Sequence, residues 1–162
     1  MTTHAYKATV TWTGDLGRGT SGYKDYSRDH EITVEGKPPL AGSSDASFRG
    51  DANRWNPEDT LLGSISSCHM LWFLHLASEA GWVVHDYVDH AEAVMQMNPD
   101  GSGQFTSATL HPEVTISSGD AALSESLHHK AHEMCFIARS LNFQVTCNPK
   151  VTTTASQKPL KN

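Results

Sequence analysis

The chain has 162 residues and a mass of 17.7 kDa, enough for one ordinary domain with a core and too little for two. Apolar residues make up 38% and charged residues 19%, with a mean hydropathy of -0.43, which excludes a polytopic membrane protein and a highly charged disordered chain. Twelve basic against eighteen acidic side chains give a net charge of -6, which opposes counterion release and excludes nucleic acid as an expected partner.

The longest uninterrupted apolar run, Met70 to Leu74, is closed by His75, far short of the roughly 18 residues of a spanning helix, so no membrane partner is expected. Met1 to Lys7 lacks a basic cluster followed by an apolar core, so no secretory signal and a cytoplasmic location are expected. Three cysteines, Cys68, Cys135 and Cys147, are an odd number, which points away from a structural disulfide framework and toward catalytic, regulatory or metal-binding thiols.

In chain order, Tyr6 to Trp12 alternates apolar and polar residues as a strand does, closed by Thr13-Gly14-Asp15. Gly17-Arg18-Gly19 and Ser21-Gly22 mark a turn, Asp29 to Val34 a second strand, and residues 36–55 a long irregular loop. Asn56-Pro57-Glu58-Asp59 is a helix start: Asn as cap, Pro at the first helical position, and two acids facing the positive end of the helix dipole. That helix is expected to run to about Ala80, with Gly81 as its stop. Its apolar residues fall on more than one face, which predicts burial on several sides.

Two long strands are expected over about 82–97 and 104–116, paired antiparallel through the Asp100-Gly101 turn. A second helix from near Asp120 to Leu141 carries Leu127, Ala131, Met134, Ala138 and Leu141 at helical spacing. Residues 143–146 and 151–154 read as strand, followed by a polar tail. The order strands, helix, hairpin, helix, strand predicts a single α+β domain over residues 1–162, with sheet against two helices. A sheet covers only one side of the first helix, so an intimate homodimer is expected to cover the rest.

Cys68, in Ser66-Ser67-Cys68-His69, and Cys135, in Ala131-His132-Glu133-Met134-Cys135, each fall mid-helix in this reading. Either can be a small buried hydrophobe. Packing of the two helices can instead bring the sulfurs together, with His132 favouring a thiolate when protonated. His128, His132 and Cys135 share one helical face by spacing, so a zinc site with a fourth ligand from Cys68 or His69 is the weaker alternative. The second histidine of the zinc-hydrolase pattern is absent, with Phe136 in its place. The remaining histidines, scattered along the chain, read as surface or satisfied polar residues. Arg18 either points to solvent or, through its glycine flanks, brings a fixed positive charge to a thiol. Glu58 can hold that guanidinium in a bidentate pair. Glu58 and Cys68 are separated by about 15 Å of helical rise, so an arginine spanning them, or a site assembled across subunits, is required.

Together, Gly14-Asp15-x-x-Arg18-Gly19, Asn56-Pro57-Glu58-Asp59, Ser66-Ser67-Cys68-His69 and Ala131-His132-x-x-Cys135 resemble the OsmC/Ohr family of hydroperoxide-reducing proteins, over nearly the whole chain. The resemblance implies an α+β OsmC-like fold, antiparallel sheets packed on two central helices in an intertwined homodimer, with active sites at the interface. It implies a thiol-dependent peroxidase that reduces organic hydroperoxides to alcohols with no cofactor, and a dithiol reductant such as a dihydrolipoyl group or a small thiol. By position, Cys68 resembles the peroxidatic cysteine, Cys135 the resolving cysteine, and Arg18 with Glu58 the pair that orients the thiolate. His69 and Phe136 stand where the family often has an aromatic and a proline, which resembles the divergent OsmC-like branch. Cys147 has no role in that pattern and reads as a spectator on the last strands. The contrasting expectation is a non-enzymatic OsmC-like protein that binds a thiol, a small molecule or a metal.

Overall fold

The computed structural model describes residues 2–154, and the polar tail expected after Thr154 lies outside them. The chain forms two compact units, Met1–Leu61 and Leu62–Asn162. The first unit holds an antiparallel three-stranded sheet of β1 (Thr9–Trp12), β2 (His30–Thr33) and β3 (Leu40–Gly42), with Val10 opposite Ile32 and His30 opposite Gly42. Strand β3 and a 3-10 turn at Ala46–Phe48 fall inside the stretch expected to be irregular. Three residues are too few to show a period, and β3 is instead held by backbone bonds from Trp55 N–H to Ala41 and from Ser43 N–H to Trp55.

Helix α1 (Pro57–Glu79) begins and ends where its local chemistry dictates. The Asn56 carboxamide oxygen accepts the Asp59 N–H at 2.7 Å, and Gly81, at φ 76°, adopts the left-handed conformation that closes a helix. Asn56→Ala is expected to cost about 1 kcal/mol of stability, read as a shift in the urea midpoint at unchanged slope.

Within the second unit, helix α1 buries one narrow stripe, Ile65, His69, Phe73 and Ala77, at a spacing of four residues. The expected burial on several sides is therefore not reached within one chain: Leu71 is 62% exposed. By length and mean hydropathy, 1.2 over its best window, α1 also meets the size of a membrane-crossing helix. Unbroken apolar runs do not register this, because serines and histidines interrupt them while the leucines, Ile65 and Phe73 sustain the mean.

The two long strands are each broken once. Strand β4 (Val83–Asp89) pairs antiparallel with β7 (Pro112–Ser118), and β5 (Glu92–Met97) with β6 (Gly103–Leu110), in two separate sheets. The break has a local cause: the Asp89 carboxylate, in place of a backbone carbonyl, accepts the His111 N–H at 2.7 Å. The expected antiparallel pairing and the Asp100-Gly101 turn hold, with Gly101 at φ 87°. Strands β8 (Gln144–Cys147) and β9 (Lys150–Thr153) then add in parallel to β6 and β7, so the sheets are mixed rather than purely antiparallel.

The second helix is shorter than its apolar spacing predicts. A 3-10 turn at Ala121–Leu123 leads into α2 (Ser124–Met134), which stops at Cys135, where the backbone turns extended at ψ 110°. The helical stripe continues past Met134, but the Cys135 sulfur accepts the Ala138 N–H at 3.4 Å and Arg139 N–H bonds to the Cys135 carbonyl, which restarts the chain as a 3-10 turn at Ala138–Ser140. The core of this unit is Phe73, Ala77, Trp82, Val114, Ile116 and Ala131, joining α1, α2 and the β4–β7–β9 sheet.

Candidate active site

The breakdown of α2 places Cys135 at a helix end, fully buried, rather than mid-helix. Cys68, half-buried on α1, is its hydrogen-bond neighbour, so the structure brings together the two thiols singled out from sequence. Burial first, and the adjoining Cys68 thiol second, push the Cys135 thiol up to about 11. Cys135 therefore holds its proton at neutral pH and stands as a donor beside Cys68. All three cysteines are free thiols.

An apolar surface adjoins the pair. One turn after Cys68, Trp72 meets the ring of Phe136, the residue after Cys135, edge to face at 5.5 Å between centroids. Leu71, Trp72 and His75 line an open depression of about 300 Å³. Phe136 itself is 68% exposed, so this surface is available to a hydrocarbon group or another protein surface.

In the other unit, Asp15 organises the turn that carries Arg18. Its carboxylate accepts the N–H groups of Gly17 at 2.8 Å and Gly19 at 2.9 Å, which holds it below the usual carboxylate range. Gly17 and Gly19 sit at φ 88° and 55°, conformations that glycine adopts without strain. Arg18 is thereby presented outward, 72% exposed, and its guanidinium lies 3.9 Å from Asp25 rather than on Glu58. Glu58 occupies the first turn of α1.

The histidine-cysteine cluster differs from the one expected. His69 Nε2 lies 3.0 Å from His128 Nδ1, and the Cys147 sulfur lies 3.6 Å from the first and 3.8 Å from the second. The triplet His128, His132 and Cys135 does not converge: His128 turns to His69 and Cys147, whereas Cys135 turns to Cys68. The two buried imidazole rings are nearly parallel, and Phe73 stacks on His128 with centroids 4.0 Å apart. Burial, with repulsion from the His132 charge, lowers His69 to about 4; burial, with repulsion from His69, lowers His128 to about 3. Burial and the Asp89 carboxylate push the Cys147 thiol up to about 12.

Cys147, read from sequence as a spectator, thus stands in contact with both buried imidazoles. Its place depends on the parallel pairing of β8 with β6, which sets Cys147 beside Leu110. Part of the signal was local: His69 stands in the four-residue stripe of Ile65, Phe73 and Ala77, and His128 lies four residues after Ser124 and three before Ala131, positions that face inward on a helix.

The family model for OsmC-like proteins matches residues 50–150, and the chain belongs to that family. Among solved structures, an OsmC-like protein of unknown function from Vibrio cholerae is similar at 28% identity and a TM-score of 0.83, over 91% of this chain and 100% of that one. Organic hydroperoxide resistance proteins from Elizabethkingia anophelis and Legionella pneumophila share the fold at 15% and 16% identity, with TM-scores of 0.69 and 0.64. Each of these two alignments covers 94% of this chain and 99% of the other. No curated protein matches the sequence.

Proposed function

We propose that this OsmC-like protein is a thiol-dependent peroxidase for organic hydroperoxides, acting in the cytoplasm, with Cys68 as the peroxidatic and Cys135 as the resolving cysteine. The observation that carries the reading is the contact between these two thiols, one on α1 and one at the end of α2. The Cys68 thiolate attacks one peroxide oxygen and the O–O bond breaks. The alkoxide takes a proton and leaves as an alcohol, and Cys68 becomes a sulfenic acid. Cys135 then attacks that sulfur, releasing water and closing a disulfide. A dithiol, such as a dihydrolipoyl group or a small-molecule dithiol, reopens the bond and is itself oxidised to a disulfide.

The apolar surface of Leu71, Trp72 and Phe136 beside the pair suits the hydrocarbon part of an organic hydroperoxide. In this reading the chain works as a homodimer that covers part of the exposed face of α1. A steady-state assay coupled to dihydrolipoamide tests it. Cumene hydroperoxide is expected to be consumed with a kcat/KM at least about tenfold above that for hydrogen peroxide, one more decade per roughly 1.4 kcal/mol of apolar contact. Unchanged thiol content after exposure to either peroxide overturns the peroxidase reading and leaves a non-enzymatic thiol or small-molecule binding protein.

A further inference from the structure

We propose that His69 Nε2, His128 Nδ1 and Cys147 Sγ form a binding site for one borderline divalent metal ion, zinc by chemical preference, separate from the Cys68–Cys135 pair. The three atoms form a triangle with edges of 3.0, 3.6 and 3.8 Å. Zinc bonds of about 2.0–2.1 Å to nitrogen and about 2.3 Å to sulfur, at tetrahedral angles, separate two nitrogens by about 3.3 Å and a nitrogen from a sulfur by about 3.6 Å. The observed edges therefore match one face of a tetrahedron around a single ion, and two imidazoles with one thiolate suit zinc.

Three elements hold the donors in place: α1 carries His69, α2 carries His128 and β8 carries Cys147. The imidazoles are 1% and 2% exposed, so little side-chain entropy remains to be lost on binding. The outer ring nitrogens, His69 Nδ1 and His128 Nε2, are buried and have no hydrogen-bond partner among the described residues. The tautomer that turns both inner nitrogens to an ion therefore breaks only hydrogen bonds inside the triangle, the one between the two rings and those of the rings with the Cys147 sulfur. Asp89, anchored by His111 N–H and the Ser66 hydroxyl, adds a fixed negative charge felt by His69 and Cys147.

A cavity of about 340 Å³ lined by His128, His132, Cys147, Glu125 and Pro149 gives the ion an entry route and leaves room for a water or small anion as fourth ligand. Binding releases the Cys147 thiol proton, and the proton shared between the rings moves to the second outer nitrogen. One proton is therefore released per ion.

The test uses the full chain with any affinity tag removed and cobalt(II) as a spectroscopic stand-in for zinc. One equivalent is expected to bind, with visible ligand-field bands of a tetrahedral ion and a near-ultraviolet sulfur-to-cobalt charge-transfer band. Cys147→Ser is expected to abolish the charge-transfer band and weaken binding by about 100-fold or more, whereas Cys135→Ser keeps both. In the unaltered protein, zinc is expected to protect Cys147 but not Cys68 from alkylation, a measurement that needs no variant to fold. Binding below one-tenth of an equivalent, a charge-transfer band that survives Cys147→Ser, or alkylation of Cys147 unaffected by zinc overturns the site. None of these results depends on peroxide turnover, so this site and the peroxidase reading stand or fall separately.

Discussion

Cys68→Ser is expected to lower hydroperoxide turnover by about a thousandfold or more, because a serine hydroxyl is neither ionised at neutral pH nor oxidised by a peroxide. Cys135→Ser is expected to fail differently. Cys68 still attacks, so one equivalent of hydroperoxide disappears in a burst, after which the enzyme stalls as a sulfenic acid that dimedone traps. The variant then recovers only as fast as an external thiol reaches Cys68. The pH dependence of the second step follows from the environment of Cys135. Its thiol is raised to about 11, first by burial and then by Cys68. Burial, the larger cause, persists when Cys68 is oxidised and continues to push the Cys135 thiol up in the sulfenic form. Disulfide closure in single-turnover stopped flow is therefore expected to accelerate by about tenfold per pH unit from pH 7 to 9. A closure rate that is flat over that range contradicts the resolving role.

The second large effect is on stability in acid. His69 and His128 are held neutral in the folded chain, at about 4 and about 3, whereas in the unfolded chain both return to about 6.5. Below 6.5 the unfolded state binds protons that the folded state refuses. The stability contributed by their burial is thus complete above about pH 6.5 and is lost as the pH falls toward 4 and 3. Two such groups cost about 4 kcal/mol between neutral pH and pH 5, a large part of a typical domain's 5–15 kcal/mol. Urea titrations of metal-free protein are expected to show this loss. In parallel, the ring-proton resonances of His69 and His128 should stay at their neutral positions down to pH 5. Titration of either ring near pH 6.5 contradicts its burial as a neutral group.

The legible parts of the fold were those set by short-range chemistry. Asn56, Pro57 and Gly81 mark both ends of α1, and Asp100-Gly101 marks the β5–β6 turn, because caps and left-handed glycines act within a few residues. The stop of α2 at Cys135 was not legible. Helical spacing continues to Leu141, and what breaks it is the sulfur's own hydrogen bond to Ala138 N–H. The split of each long strand at Asp89 and His111 depends likewise on one carboxylate replacing a ladder acceptor.

The candidate site divides along the same line. Cys68 and Cys135 are legible because one lies on α1 and the other at the end of α2, two helices that the fold packs together. The His69–His128–Cys147 cluster was missed because it needs a parallel strand pairing and a contact across 78 residues, which no local pattern encodes. For Arg18 the sequence leaves a solvated turn and a pair with Glu58 both open, and within one chain the Asp15 turn presents it outward beside Asp25.

The most direct test is to map the disulfide formed by one turnover. Reduced, metal-free protein receives one equivalent of cumene hydroperoxide and is quenched with an alkylating reagent, and its peptides are weighed by mass spectrometry. The expected product is a Cys68–Cys135 linked peptide two hydrogens lighter than its separate halves, with Cys147 recovered fully alkylated. Recovery of all three cysteines alkylated, or a linkage that includes Cys147 in place of Cys135, contradicts it.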